Sequence, residues 1–117
     1  MHDDYFYPHE NENFTFLRVP KSLFETERYK CLSGDCVLLY SLMLDRVGLS
    51  RQNNWIDKQG RVYIYFTIDE IMVIFKYARE KAVNLLSLLC EYGLAEKKRQ
   101  GLGKPNIIYL KKFDGCV

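Results

Sequence analysis

Nine lysines and arginines fall between residues 76 and 112 against three glutamates, so this segment carries +6 while the rest of the chain carries −4. The whole-chain balance of +2 hides that polarity. These residues can bind phosphate but are not a bond-breaking set. Arg79 and Lys81 stand two apart, Lys97, Lys98 and Arg99 run consecutively, and Lys104 and Asn106 follow Gly101 and Gly103. Cations so concentrated neutralise phosphates and release their counterions. The two glycines let a backbone turn and approach a phosphate closely. They do not make a P-loop, because no Gly-Lys-Ser/Thr follows and the segment opens a strand, not a helix.

Other chemistries lack their residues. The histidines, His2 and His9, lie in an acidic N-terminal stretch far from any candidate nucleophile. Asp69 and Glu70 have a helix-capping explanation. Cys31, Cys36, Cys90 and Cys116 form no CxxC pair, so the close ligand pairs of a zinc site are missing. Cys36 and Cys90 read as small buried hydrophobes in helices, and no disulfide is expected in a reducing compartment. The expectation is binding without catalysis, metal or cofactor. At 117 residues the chain is one domain, and 48% apolar residues suffice for a core. No run approaches the ~20 apolar residues that span a bilayer. The first residues have no apolar core of a signal peptide, so no membrane partner and a cytoplasmic location are expected.

The elements that must position the cations follow from hydrophobic period and turn chemistry. Residues 1–13 read as a flexible tail, with Tyr5, Phe6 and Tyr7 either disordered or docked on the domain or a second copy. Residues 14–117 read as one folded unit. Phe14 and Phe16 alternate with Thr15 and Leu17, a pattern for a short strand ended by Pro20. Lys21 to Phe24 fits a helical turn. Ser33 is a candidate N-cap for a helix through Arg46, apolar nearly all round and stopped by Gly48. Asn54 to Phe66 reads as a β-hairpin turning at Lys58-Gln59-Gly60, with Val62, Ile64 and Phe66 on one side. Trp55 is expected to pack across it on a tyrosine, in preference to stacking on bases. Thr67-Ile-Asp-Glu70 matches a capping box, and Ile68, Ile71, Met72 and Phe75 form the stripe of the helix it opens. A second helix spans about Ala78 to Tyr92, with Ala82, Leu85, Leu86, Leu89 and Tyr92 as its inward stripe and Asn84 on its polar side. Gly93 stops it. Strands at Leu94–Lys98 and Ile107–Leu110 then flank the basic loop. Helix, turn, helix and hairpin in this order make an α+β winged helix-turn-helix with an N-terminal extension.

With these residues in view, the chain resembles the N-terminal domain of RepA-type replication initiators of Gram-positive plasmids and conjugative elements. The matching stretches are FTFLRVPKSLF, VLLYSLMLDRVGLS, NNWID with GRVYIYFTIDEIM, REKAV and YGLAEKKRQGLGKPNIIYL, together nearly the whole of Tyr5 to Phe113. The resemblance implies a winged helix that binds repeated sequences in a replication origin as double-stranded DNA, and a homodimer. It implies a longer protein whose C-terminal domain engages host replication proteins. This chain stops at Val117, so an isolated domain or a shortened initiator is expected. Arg79, Lys81 and Ala82 fit the start of the family's recognition helix, and Lys97, Lys98, Arg99, Lys104 and Asn106 fit its wing. Tyr77-Ala78 departs from the small polar or glycine-containing entry usual there. Arg79 and Lys81 are expected in the major groove with Tyr77 or Asn84 assisting, and the wing cations on phosphates. Two other readings share this surface. A transcriptional regulator would take the same DNA contact to a promoter operator, and a protein-interaction module of a replication complex would show little salt-dependent DNA affinity.

Overall fold

The computed structural model describes residues 4–10 and 14–114. Its elements are α1 (Ser22–Glu25), a 3-10 turn (Glu27–Tyr29), α2 (Gly34–Gln52), α3 (Ile68–Phe75), α4 (Arg79–Glu91), β1 (Ala95–Lys98) and β2 (Ile107–Leu110). β1 and β2 pair antiparallel, with Ala95 opposite Leu110 and Lys98 opposite Ile107. Ile64 adds one bridge on the far side of β2, exchanging both backbone hydrogen bonds with Ile108 at 2.9 Å. A winged-helix sheet results, with the segment before α3 as its third member.

The core lies where α2, α4 and the sheet meet. Cys36, Val37, Leu39, Tyr40 and Met43 of α2 are buried against Ala82, Leu85, Leu86 and Leu89 of α4, and Ile64, Ile71, Leu94 and Ile108 close it. Burying a leucine of this kind contributes about 1.5–3 kcal/mol. The tyrosines are placed by their polar ends: Tyr40 donates to the Lys111 carbonyl at 2.6 Å, and the Tyr29 hydroxyl accepts from the Asp114 N–H at 2.9 Å.

Three helices end in the same way. The stop residue enters the left-handed region, and the next N–H reaches back to a carbonyl of the last turn. Asn54 (φ 58°), Lys76 (φ 59°) and Gly93 (φ 72°) are the stop residues of α2, α3 and α4. Trp55 donates to Ser50, Tyr77 to Met72 and Leu94 to Leu89. At Gly93 a side chain would also press on the Arg28 guanidinium, 3.3 Å from where a Cβ would sit.

Three expectations are corrected. α2 runs through Gly48 to Gln52 instead of stopping near Arg46. Gly48 is not in the left-handed region, and the motif that terminates the helix forms at Asn54. The stretch from Phe14 to Pro20 forms no strand. Its alternation finds no partner, and Phe14 and Phe16 lie exposed against each other with ring centroids 4.8 Å apart. The hairpin is also shorter than its pattern implied, with a single bridge at Ile56–Val62. Trp55 packs edge-on to Tyr65 at 5.1 Å, as expected. Of the tail, residues 1–3 and 11–13 lie outside the described part. Tyr5 and Phe6 are exposed.

Asp57 ties the hairpin to the wing. Its Oδ1 accepts from the N–H groups of Gln59 and Arg61, both at 2.9 Å, and its Oδ2 accepts from the Arg61 Nε at 3.2 Å and the Tyr109 hydroxyl at 2.8 Å. The Arg61 N–H leads, with Tyr109, Gln59 and the guanidinium adding to it, and together they outweigh desolvation and hold the carboxyl at about 2. A group depressed on folding contributes stability above its unfolded value, and loses it as pH falls through the folded one. An NMR titration of Asp57 is expected to give a midpoint near 2, with stability falling between the ordinary 3.8 and that value. A midpoint at 3.8 would remove this anchor.

Candidate nucleic-acid interface

α4 is held along one face and open along the other. Ala82, Leu85, Leu86 and Leu89 are buried, whereas Arg79, Glu80, Lys81 and Asn84 are exposed. Arg79 is its first residue. Ala78 precedes it as an N-cap without any side-chain hydrogen bond, leaving the first N–H groups of α4 unserved by a cap. α3 differs. Thr67 accepts from the Glu70 N–H at 3.1 Å and Glu70 accepts from the Thr67 N–H at 3.2 Å, the full capping box. Arg46 reinforces it from α2, reaching Glu70 at 2.6 Å and the Tyr65 carbonyl at 2.8 Å.

Tyr77 fixes the turn between the two helices. Its hydroxyl donates to Asp35 Oδ2 at 2.9 Å, and its ring stacks on Phe75 at 5.5 Å. The Lys81 ammonium sits 4.0 Å from the centre of the same ring. Burial pushes the Asp35 carboxyl up, but hydrogen bonds from Ser33, Tyr77 and the Cys36 N–H win and hold it below 3.8. Tyr77 answers with a raised value, because losing its proton would break the bond to a carboxylate. Of the residues expected to read bases, Tyr77 therefore points its polar end inward. Its visible contribution is to carry Lys81 and lock the turn.

Arg79 donates to Asp69 Oδ1 at 2.6 Å in an exposed pair spanning the two helices. Asp69, read from the sequence as part of a cap, is a partner of the foremost cation. The pair lies on a groove of about 240 Å³ that Lys97 and Asn106 also line. The start of α4 and the root of the wing thus share one concavity. Lys98, Arg99 and Lys104 stand further out, all exposed, on a second concavity shared with the hairpin residues Lys58 and Gln59. Gly101 (φ 124°) and Gly103 (φ 76°) shape the tip.

Sequence reasoning missed Asp69 as a partner of Arg79, Asp35 as the anchor of Tyr77, and Lys58 as a neighbour of the wing. Their sequence separations, 10 residues for the first pair and 42 for the second, follow no helical or strand period. Among the described residues no group of three His, Cys, Asp or Glu could hold a metal, and no helix is long and apolar enough to cross a membrane.

Comparisons agree with this geometry. A family model described as "Replication initiator protein A (RepA) N-terminus" matches residues 15–116. A "41 kDa protein" of Lactobacillus helveticus is 37% identical over 91 residues, 78% of this chain and 26% of that protein. The chain therefore spans about a quarter of that relative's length. A solved "N-Terminal domain of DNA binding protein" superposes with a TM-score of 0.75 at 37% identity, over 95% of this chain and 85% of the other. A "Rep-DNA complex" gives 0.75 at 38% identity, over 93% and 84%. An "MDR initiator" gives 0.73 at 34% identity, over 93% and 86%.

The Tyr77 hydrogen bond makes a specific demand. Tyr77→Phe is expected to lower the midpoint of thermal unfolding, because it removes the donor of a hydrogen bond to a charged acceptor. An unchanged melting curve would show that the turn does not depend on it.

Proposed function

Because the chain belongs to the replication initiator protein A N-terminus family, we propose that it binds double-stranded DNA at repeated sites of a plasmid or mobile-element origin. The observation that carries this reading is the shared groove between the open start of α4 and the wing root, lined by Arg79, Lys97 and Asn106. A recognition helix enters the major groove by its N-terminal residues. Arg79 can make the bidentate contact to guanine, with Lys81 and Asn84 beside it and Tyr77 supporting from below. Lys97, Lys98, Arg99, Lys104 and Asn106 hold phosphates and set the register.

The role is binding without catalysis, in the bacterial cytoplasm. Origin repeats suit a homodimer, which places two copies of α4 about 34 Å apart or a multiple of it. Exposed apolar side chains such as Phe6, Phe16 and Val73 give such an assembly material to bury. Host replication proteins would be met by a C-terminal domain of a longer protein.

Mobility-shift titrations against fragments tiling the origin and the surrounding coding region, with competitor DNA, test the reading. Tight, competitor-resistant binding to a repeat array is expected, and uniform weak binding would contradict it. Arg79→Ala should lower discrimination between target and altered repeats by about 1–3 kcal/mol, whereas joint replacement of Lys98 and Arg99 by Ala should weaken every duplex and flatten the salt slope by about two. The opposite pattern would exchange their roles.

Asp69 makes a further demand on the same surface. Its carboxylate competes with DNA for Arg79 and repels phosphate. Asp69→Asn should tighten binding to all duplexes by up to about five-fold at low salt, the equivalent of a surface ion pair. Weaker binding would show that Asp69 aims Arg79 instead.

A further inference from the structure

One cation of the basic face lies outside the segment that carries its charge. Lys58, at the turn of the hairpin before α3, lines the same open concavity as Lys98, Arg99 and Lys104. We propose that this concavity is a second phosphate site, in which Lys58 and the wing together hold a phosphodiester group of the DNA backbone beside the groove entered by α4. The proposal rests on the DNA-binding reading and adds an element to it, because nothing in the helix-turn-helix or the wing requires the hairpin to touch DNA.

Three observations converge. First, none of these four cations has a carboxylate partner among the described residues, whereas Arg28, Lys30, Arg46, Arg61, Arg79 and Lys111 all do. Unpaired like charges gathered on one concavity repel each other until an anion arrives. Second, the carboxylate in its lining, Asp57, is already engaged. Both oxygens accept from donors of the hairpin or from the Tyr109 hydroxyl, and the Arg61 guanidinium pairs with it, so its charge is partly offset before a phosphate arrives. Third, the arrangement is fixed before any ligand binds. The Tyr109–Asp57 bond, the Ile64–Ile108 bridge and the Arg61 guanidinium 5.0 Å from the centre of the Tyr109 ring hold the hairpin on the wing sheet. Lys58 therefore presents its charge from a rigid support, which lowers the cost of ordering it on binding.

The test compares Lys58→Ala with Lys21→Ala, which removes the same charge from an exposed position at the N-cap of α1. Fluorescence anisotropy with a labelled duplex of about two helical turns, titrated from about 50 to about 200 mM salt, reads the number of phosphates engaged. Lys58→Ala is expected to bind several-fold more weakly at low salt and to flatten the log–log salt slope by about 0.9, the value of one phosphate. Lys21→Ala is expected to keep the slope of the unaltered chain. Equal effects of the two substitutions, or none from Lys58→Ala, would overturn the proposal while leaving DNA binding in place. Absence of salt-dependent binding by the unaltered chain would instead sink the reading beneath it. Matching thermal melts of both variants exclude misfolding, since Lys58 is exposed.

Discussion

The burial of one face of α4 governs everything this domain presents to its surroundings. Ala82, Leu85, Leu86 and Leu89 are locked between α2, α3 and the sheet, and Leu94 follows into the same core. A helix held on one side along its whole length cannot roll. Its other face, beginning at Arg79, is therefore aimed by the core. Both ends are secured by separate means. The left-handed Gly93 turns the chain directly into β1, so the wing starts from the same anchor as the helix. At the other end Tyr77 is tied to Asp35 at the start of α2, across 42 residues of sequence. The distance between helix start and wing root is thus set by hydrophobic packing and by a few polar bonds.

A basic face also needs an answer for the acids that fall on it. Two aspartates lie along the two concavities, and each is engaged. Asp57 is saturated by donors of the hairpin and by Tyr109, and Asp69 is paired with Arg79 through one oxygen. The first arrangement is internal to the scaffold and survives any ligand. The second engages Arg79, the cation proposed to read a base, with an exposed, weak partner that a guanine edge would replace under that proposal. The wing cations have no such partner among the described residues, which suits their proposed role of gripping any duplex before a sequence is read.

Much of this was legible in the chain. The capping box at Thr67-Ile-Asp-Glu70, the stripe of α4, its stop at Gly93 and the basic loop all appear where period and turn chemistry place them. What escaped has a common cause. Gly48 looked like a helix stop, but a glycine ends a helix only when the chain enters the left-handed region, and here Asn54 does so. Lys76 takes that conformation although a lysine gains nothing from it locally, and tertiary packing of Phe75 and Tyr77 supplies the reason. Alternation at Phe14 to Pro20 suggested a strand, but a strand needs a partner that no local pattern can supply. The links that shape the interface, Asp35 with Tyr77, Asp69 with Arg79 and Lys58 beside Lys98, join residues far apart in sequence or out of phase with any period, and only the folded chain brings them together.

The central claim is that the start of α4 and the wing form one DNA-binding surface. The most direct measurement is a nitrogen-proton chemical-shift map of the chain titrated with a duplex bearing an origin repeat. The account predicts perturbations concentrated at residues 76–84 and 97–106. Perturbations confined to the backbone amides of Val73 and Ile74, whose side chains are exposed on α3, with those of Arg79 and Lys98 unmoved, would contradict it.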